Sequence, residues 1–377
     1  MNRLIVSSAG LIGYVLAATA GAHHGTGAFD HSREIEVSGV ISKLQFVNPH
    51  SWVYLDVTGD DGTIEQWRCE MRAATVLRRA GWARDMFLEG DRVTIVGSPA
   101  KFEDRGCYLR TVFFADRSSM DRYGQLVAAA SPADAVRPDR LPNGDPHIGG
   151  DWAAEQRVDI DPRGVAGILT PLSEALNADP SAIPPVAMGM AGGMAMGAQS
   201  PVQLTEAGNT ASASAVFERE DDPRWNCQQT NIFADWTKDQ HVNQIVQTEE
   251  TITIKYGFMD IVRTIDLTSA THPDNIEPSR AGHSIGRWER DELIVDTVGF
   301  APGTLGRNFR TGPFHGDELH VTEHFVIDTE QGALRRSWSA EDPAYFEGEY
   351  SGQDVVFVAD IAYEPYDCDD LTSEYIE

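Results

Sequence analysis

Basic residues are scarce in this chain of 377 residues, which has 30 Lys and Arg against 58 Asp and Glu and a formal net charge of −28. Because nucleic-acid-binding proteins place clustered cationic side chains against phosphates, this deficit argues against nucleic acid as a partner. Long apolar runs are lacking beyond the amino terminus, so a multi-span membrane protein is excluded. With 41% hydrophobic residues the chain can still form ordinary folded cores, and its length suggests about two domains.

Cysteine is also rare, because the chain has only four and no pair is spaced as C-x-x-C. This spacing argues against a zinc site ligated by cysteine. Cys69 and Cys107 lie in the first part of the chain, and Cys227 and Cys368 lie in the second. In an oxidising compartment this distribution predicts two disulfides, Cys69–Cys107 and Cys227–Cys368.

Residues 1–22 begin with a short basic segment at Arg3, continue as an apolar run and end in small residues. This pattern is typical of a cleaved secretory signal peptide. Serine and glycine interrupt the apolar run, so no stable membrane span is expected after cleavage. The region has no Arg-Arg pair for twin-arginine export and no cysteine for a lipid anchor. We therefore expect a periplasmic or secreted protein, cleaved after Ala20 or after Ala22.

Either cleavage leaves a plausible copper chelate at the mature amino terminus. Cleavage after Ala22 makes His23 the first residue, so that its amine and imidazole chelate Cu(II) and one further histidine completes a three-nitrogen histidine brace. Cleavage after Ala20 leaves Gly21, Ala22 and His23, whose amine, amides and imidazole bind Cu(II) or Ni(II) in a square plane. The alternative is that His23 and His24 are polar residues of a flexible terminus.

Short alternating segments after residue 35 predict a first, five-stranded domain. The predicted strands are 36–46, 52–58, 64–71, 92–98 and 107–115, with a helix over 73–80. Three strands, a helix and two strands is the order of an OB-like barrel. We expect this domain over 23–117, followed by a linker over 118–148.

Residues 149–377 predict a larger antiparallel β-barrel or sandwich. The predicted strands are 252–256, 261–267, 284–288, 293–300, 319–327, 334–339 and 355–363. A loop rich in Met, Gly and Pro interrupts the unit at about 163–203, and it carries Met188, Met190, Met194 and Met196. Because thioethers prefer Cu(I), these methionines are candidate copper ligands, and the alternative is ordinary linker composition.

Several short motifs of the first domain occur together, namely His23-His24-Gly25, Asn48-Pro49-His50, Arg79-Ala80-Gly81-Trp82 and Gly90-Asp91-Arg92-Val93. On these motifs, residues 23–117 resemble an exported bacterial family of unknown function, numbered 6152. Motifs of the second part, such as 282–289, resemble secreted β-rich bacterial proteins of uncharacterised type. The resemblance implies fold and export, and it supplies no catalytic residues.

The same resemblance places His50 in a motif beside the amino-terminal pair. His50 is therefore the candidate third nitrogen of the copper site, because the preceding proline fixes the backbone and can aim the imidazole. His24 is an alternative ligand. The competing interpretation is a strand-entry turn in which His50 only bonds a backbone carbonyl.

Two motifs look catalytic but lack the required context. Ser284 lies in a G-x-S-x-G motif, whose nucleophile function requires a strand before it and a helix after it, whereas the following residues read as a hairpin. His320 and His324 lie in an H-x-x-E-H motif in a run that reads as strand, where they stand about 13 Å apart and cannot share one zinc ion. His272, His283 and Glu323 are candidates to line a pocket of the second domain, or are satisfied structural polar groups.

The leading functional hypothesis is an exported protein that binds copper through His23 and His50 for storage or delivery, with a copper donor or acceptor protein as partner. Storage and delivery are favoured over oxidative chemistry, because the sequence has no substrate-binding signature of an oxygenase. The alternative is a module whose second barrel binds a small molecule or a partner without metal. A serine hydrolase that uses Ser284 is a second, weaker alternative.

Overall fold

The computed structural model describes residues 28–59, 61–121, 139–159, 169–171, 202–214, 227–238, 241–306 and 312–369. Two closed β-barrels follow one another along the chain. The elements of the first unit are β1 (Ile35–Gln45), β2 (Trp52–Thr58), β3 (Ile64–Glu70), α1 (Ala74–Arg79), a 3-10 helix (Arg84–Met86), β4 (Arg92–Pro99), β5 (Gly106–Phe114) and β6 (Ser119–Asp121).

The first barrel has the predicted OB-like topology. Its strands lie in the order β3-β2-β1-β4-β5, and a parallel pairing of β3 with β5 closes it. Helix α1 connects β3 to β4 and buries Ala74 and Leu77 against a core that includes Val53, Leu55 and Ile95. Because alternate strand residues point inward, the apolar alternation seen in the sequence corresponds to the inner face of the barrel.

The second unit consists mainly of a nine-stranded barrel. Its elements are β7 (Gly150–Ala153), β8 (Arg157–Asp159), β9 (Leu169–Pro171), β10 (Gln203–Leu204), α2 (Glu206–Ser214), α3 (Ala234–Thr237), β11 (Val242–Gln247), β12 (Thr251–Lys255), β13 (Val262–Asp266), β14 (His283–Glu289), β15 (Glu292–Val298), β16 (Gly303–Thr304), β17 (Phe314–His315), β18 (His320–Asp328), β19 (Ala333–Glu341), β20 (Phe346–Glu347) and β21 (Tyr350–Val358).

The barrel order is β11-β12-β13-β14-β15-β18-β19-β21-β7, with β7 closing against β11. Neighbouring barrel strands are antiparallel except β13 and β14, which are parallel and joined by a crossover over 267–282. The mainly β prediction is therefore confirmed, and the second unit is a barrel rather than a sandwich. The core of this barrel contains the large side chains of Trp152, Trp236, Trp338 and Phe325.

Several elements differ from the sequence prediction. The first sheet continues to residue 121 through β6, so it extends past the expected boundary at 117. Strand β9 lies inside the predicted loop, where it pairs with β8. Strand β11 was not predicted, because buried Asn243 breaks its apolar alternation. Strand β21 covers 350–358 instead of 355–363, since its polar first half pairs along β19.

Both predicted disulfides are present, Cys69–Cys107 between β3 and β5 and Cys227–Cys368 in the second unit. The two units contact each other beside the second bridge, where Asn48 forms an isolated β-bridge with Cys368. Arg79 of α1 also donates from Nε to Asp360 at 2.8 Å. In the part of the chain that the structure describes, no helix is both long and apolar enough to span a membrane.

Candidate functional site

His50 lies where the turn between β1 and β2 passes close to the second unit. The preceding Asn48 is buried, with its side chain accepting from the backbone N–H of Thr75 at 3.2 Å and donating to the carbonyl of Tyr366. The Asn48–Pro49 peptide bond is cis. These contacts hold the turn on both sides, so the backbone that carries His50 has a defined position.

The imidazole of His50 is paired with the carboxylate of Glu70. Its Nδ1 atom lies 2.7 Å from Glu70 Oε1, and the two side chains are 28% and 9% exposed. Histidines that bind metals almost always donate their other ring N–H to a carboxylate, carbonyl or water, which fixes the tautomer and the ring orientation. The 2.7 Å distance to Glu70 is that of an ion pair, and a neutral His50 ring whose proton is on Nδ1 carries its lone pair on Nε2, the form required of a ligand.

Phe29, among the first described residues, packs on the outer face of the barrel that also carries Glu70. Cys69 and Cys107 point into the core, so their neighbours Glu70 and Tyr108, which are paired in register, both point outward. The ring of Phe29 packs against that of Tyr108, with centroids 5.4 Å apart. Phe29 therefore packs on a side chain of β5, and β5 is paired with β3, the strand that carries Glu70.

The remaining residues predicted to bind metal lie outside the described residues. They are His23, His24, Met188, Met190, Met194 and Met196. His23 precedes the first described residue, Ala28, by five positions, and five extended residues span at most about 17 Å.

A second polar constellation, only partly expected from the sequence, lies on the outer face of the large barrel. His272 lies in the crossover. Its Nδ1 atom is 2.8 Å from Nδ1 of His283, and its Nε2 atom is 2.7 Å from Oδ1 of Asp296. His320 at the start of β18 places Nε2 2.7 Å from the other carboxylate oxygen of Asp296. We call these four residues the histidine cluster.

The sequence named His272, His283 and Glu323 together, and the structure separates Glu323 from the two histidines. Glu323 points into the barrel and is fully buried. Its place is taken by Asp296, which faces outward because its neighbours Val295 and Thr297 face the interior. The outward position of a lone carboxylate in the apolar run of β15 was the signal that could have identified it.

Asp296 is the hub of the histidine cluster. Partial burial raises its pKa, but the hydrogen bonds from His272 and His320 outweigh that effect, so the pKa lies below its ordinary value. The carboxylate is therefore ionised at neutral pH. Within the described residues, no three or more His, Cys, Asp or Glu side chains are already arranged around a common point so as to hold a metal ion.

The barrel interior contains a separate network of buried charges. Glu323 contacts Arg263 at 2.5 Å and Arg336 at 3.2 Å, and Arg336 also pairs with Asp354. Burial raises the pKa of Glu323, but the two guanidinium groups more than offset it and the pKa is lowered overall. The carboxylate therefore stays charged, and the network balances two positive with two negative charges.

The two motifs with a catalytic appearance are both strand segments. Ser284 is buried within β14, where its hydroxyl accepts from Arg263 Nε at 2.8 Å, and the strand continues into β15 through a hairpin rather than into a helix. His320 and His324 lie on β18, as expected from the sequence, with Glu323 on the opposite face. His324 Nδ1 is paired with Glu292 at 2.9 Å and takes no part in the histidine cluster.

Comparison with known proteins gives a family assignment for part of the chain. Residues 13–108 match the model of a family of unknown function (DUF6152), in agreement with the resemblance of the first domain. The match includes His50 and Glu70 and covers 96 of 377 residues, about a quarter of the chain. Neither the curated proteins nor the solved structures contain a significant match.

Proposed function

We propose that this protein is exported and binds copper at its mature amino terminus, with His50 as the third nitrogen ligand. The observation that carries the proposal is the pairing of His50 with Glu70 on the barrel face where the amino-terminal segment packs. Cleavage after Ala22 supplies the amine and imidazole of His23, and His24 is an alternative ligand. Nitrogen ligands in a T-shaped or tetragonal arrangement suit Cu(II).

Residues of the first barrel have distinct roles in this proposal. Glu70 holds the Nδ1 proton of His50 and so presents Nε2 as the ligand atom. The Asn48 contacts fix the turn, which limits the movement of the imidazole when a metal ion is absent. The two disulfides accord with export to an oxidising compartment, periplasmic or extracellular.

Storage or delivery is the role that fits this arrangement. Met188, Met190, Met194 and Met196 would hold Cu(I), and a donor or acceptor protein would exchange copper with the site. The non-metal alternative requires a small molecule or partner to bind the second barrel. Large apolar side chains and the buried charge network occupy the middle of that barrel, so the metal proposal has the more specific support.

The test is native mass spectrometry of protein from the exported fraction, combined with Cu(II) titration. We expect a chain that begins at His23 and carries one copper ion. His50→Ala should abolish tight binding, and Glu70→Gln should weaken it by about tenfold to 100-fold while leaving the fold intact. His324→Ala is the matched control, because it removes a carboxylate-paired surface histidine from the other barrel.

Two results would overturn the proposal. One is a chain that begins at His23 yet binds no Cu(II), and the other is an affinity that does not change in His50→Ala. A chain that begins at Gly21 and binds copper without His50 would replace the brace by the square-planar site of Gly21, Ala22 and His23.

A further inference from the structure

The histidine cluster owes its existence to the one parallel connection in the large barrel. The crossover from β13 to β14 carries His272 back over the sheet, and Gly282 ends it directly before His283. Gly282 has a φ of +66°, and a Cβ atom there would lie 2.7 Å from the side chain of Thr297. Only glycine fits this position without strain, so the backbone geometry that brings the two imidazoles together depends on Gly282.

The hydrogen bonds of the cluster define which nitrogen of His272 carries a lone pair. The ionised carboxylate of Asp296 can only accept, so Nε2 of His272 is the protonated nitrogen. Nδ1 of a neutral His272 ring then has a lone pair directed at Nδ1 of His283. This is the carboxylate–histidine arrangement that prepares an imidazole for a metal ion.

The spacing of the two rings also suits a shared ion. Two metal–nitrogen bonds of about 2.0–2.1 Å that meet at the right angle of a tetragonal site place the nitrogens about 2.9 Å apart. The Nδ1 atoms of His272 and His283 lie 2.8 Å apart, and their rings are inclined at 72°. The distance therefore needs little change, and the rings need to turn their lone pairs toward the ion. Both side chains are partly exposed, so water can complete the coordination.

We propose that His272 and His283 bind a divalent transition-metal ion through their Nδ1 atoms, at a second site independent of the amino terminus. Asp296 is a positioning residue that orients His272, and His320 holds the other oxygen of Asp296. When the ion enters, the proton between the two Nδ1 atoms moves to Nε2 of His283 or to solvent. Imidazole ligands favour Cu(II) over Zn(II) in the general affinity order, so Cu(II) is the preferred ion.

The proposed site uses two protein ligands and water. Such a site binds less tightly and exchanges faster than a closed one. It would therefore serve to acquire or pass on an ion rather than to store it.

The experiment uses the full chain with His23, His24 and His50 all replaced by alanine, which removes the imidazoles of the amino-terminal site. Cu(II) alone is titrated by calorimetry, and the bound ion is examined by electron paramagnetic resonance. We expect one bound equivalent with hyperfine coupling from two imidazoles. In this background His272→Ala and His283→Ala should each weaken binding at least about tenfold, and Asp296→Asn should weaken it by about tenfold to 100-fold.

His324→Ala in the same background is the control and should leave the affinity unchanged, because His324 lies on β18 outside the histidine cluster. Circular dichroism identifies any variant that fails to fold, and the milder His272→Gln and His283→Gln then replace the alanine variants. The proposal is refuted if the background chain binds no Cu(II), or if the affinity is the same with and without His272 and His283. Because the amino-terminal imidazoles are absent throughout, this result is separate from the test of the brace.

Discussion

The buried charge network in the large barrel makes one sharp prediction about stability. The guanidinium groups of Arg263 and Arg336 and the carboxylate of Glu323 are all fully inaccessible to solvent. Glu323 bridges the two arginines, and among the described residues Arg336 alone has a second carboxylate partner, Asp354. Arg263 otherwise donates to the hydroxyl of Ser284 and to one threonine hydroxyl.

Replacing Glu323 by glutamine keeps the size of the side chain but removes its charge. The interior then has a net charge of about +1, and Arg263 has no ionic partner among the groups described above. Removing one member of a buried ion pair costs about 3–5 kcal/mol, because the remaining charge is neither solvated nor neutralised. We therefore expect Glu323→Gln to lower the free energy of unfolding of the second barrel by about 3–5 kcal/mol.

The assay is urea unfolding at neutral pH with the disulfides intact, followed by tryptophan fluorescence, since Trp152, Trp236 and Trp338 all lie in this core. Glu289→Gln is the control, because Glu289 is an exposed partner of Arg287 and such pairs contribute at most about 1 kcal/mol. The double replacement of Arg263 and Glu323 by glutamine restores the charge balance.

This double variant should be more stable than Glu323→Gln alone, if the cost comes from an uncompensated charge. A loss below about 1 kcal/mol for Glu323→Gln would refute the reasoning. So would a double variant that loses the sum of both single effects, because the damage would then come from packing rather than from charge.

Three further predictions concern burial, covalent linkage and backbone strain. Burial raises the pKa of Asp235 to about 7, from 3.8 for an exposed carboxyl, so the folded state holds this proton over a range in which the unfolded state has lost it. The free energy of unfolding, relative to that of Asp235→Asn, should therefore fall by about 3 kcal/mol as the pH rises from 4 to 7. Urea unfolding across this range measures it, and a difference between the two proteins that does not change with pH would contradict the reasoning. Replacing Cys69 and Cys107 by serine opens a loop of 38 residues and should lower the free energy of unfolding by about 4 kcal/mol, measured by chemical denaturation. An unchanged denaturation midpoint would show that the bridge does not constrain the unfolded chain. Gly282→Ala should lower the free energy of unfolding by about 1–3 kcal/mol and also weaken Cu(II) binding by the histidine cluster. A variant with unchanged stability and binding would show that the positive φ is not required there.

The sequence predicted the first barrel well because its strands alternate cleanly between apolar and polar residues. Strand β2 has the predicted bounds, β3 and β4 differ by one residue at one end, and β1 and β5 are shifted by one residue at both ends. The second barrel was harder, since several of its inward positions are polar. In β11 the buried Asn243 donates to the carbonyl of Trp236 and accepts from the N–H of Gly257. In β21 the ring of Trp338 covers Gly352, so a strand forms where the local sequence has little apolar character.

The candidate sites, too, were predicted only in part from the sequence. The sequence identified His50 as a ligand candidate, but its partner Glu70 became visible only when β2 and β3 were paired. It also named His272 and His283, yet it assigned Glu323 to them, because local spacing does not show which face of a strand meets which loop.

By itself, the sequence determined the two mainly β units, the pairing of the four cysteines and the strand character of the two motifs that resemble catalytic ones. These properties depend on alternation, composition and spacing, which are local. The tertiary structure decided that the second unit closes as a barrel, that Glu323 joins two arginines inside it, and that His272 meets His283 and Asp296 outside it. Those contacts join residues that only strand pairing and the crossover bring together, and no local pattern records which strands become neighbours.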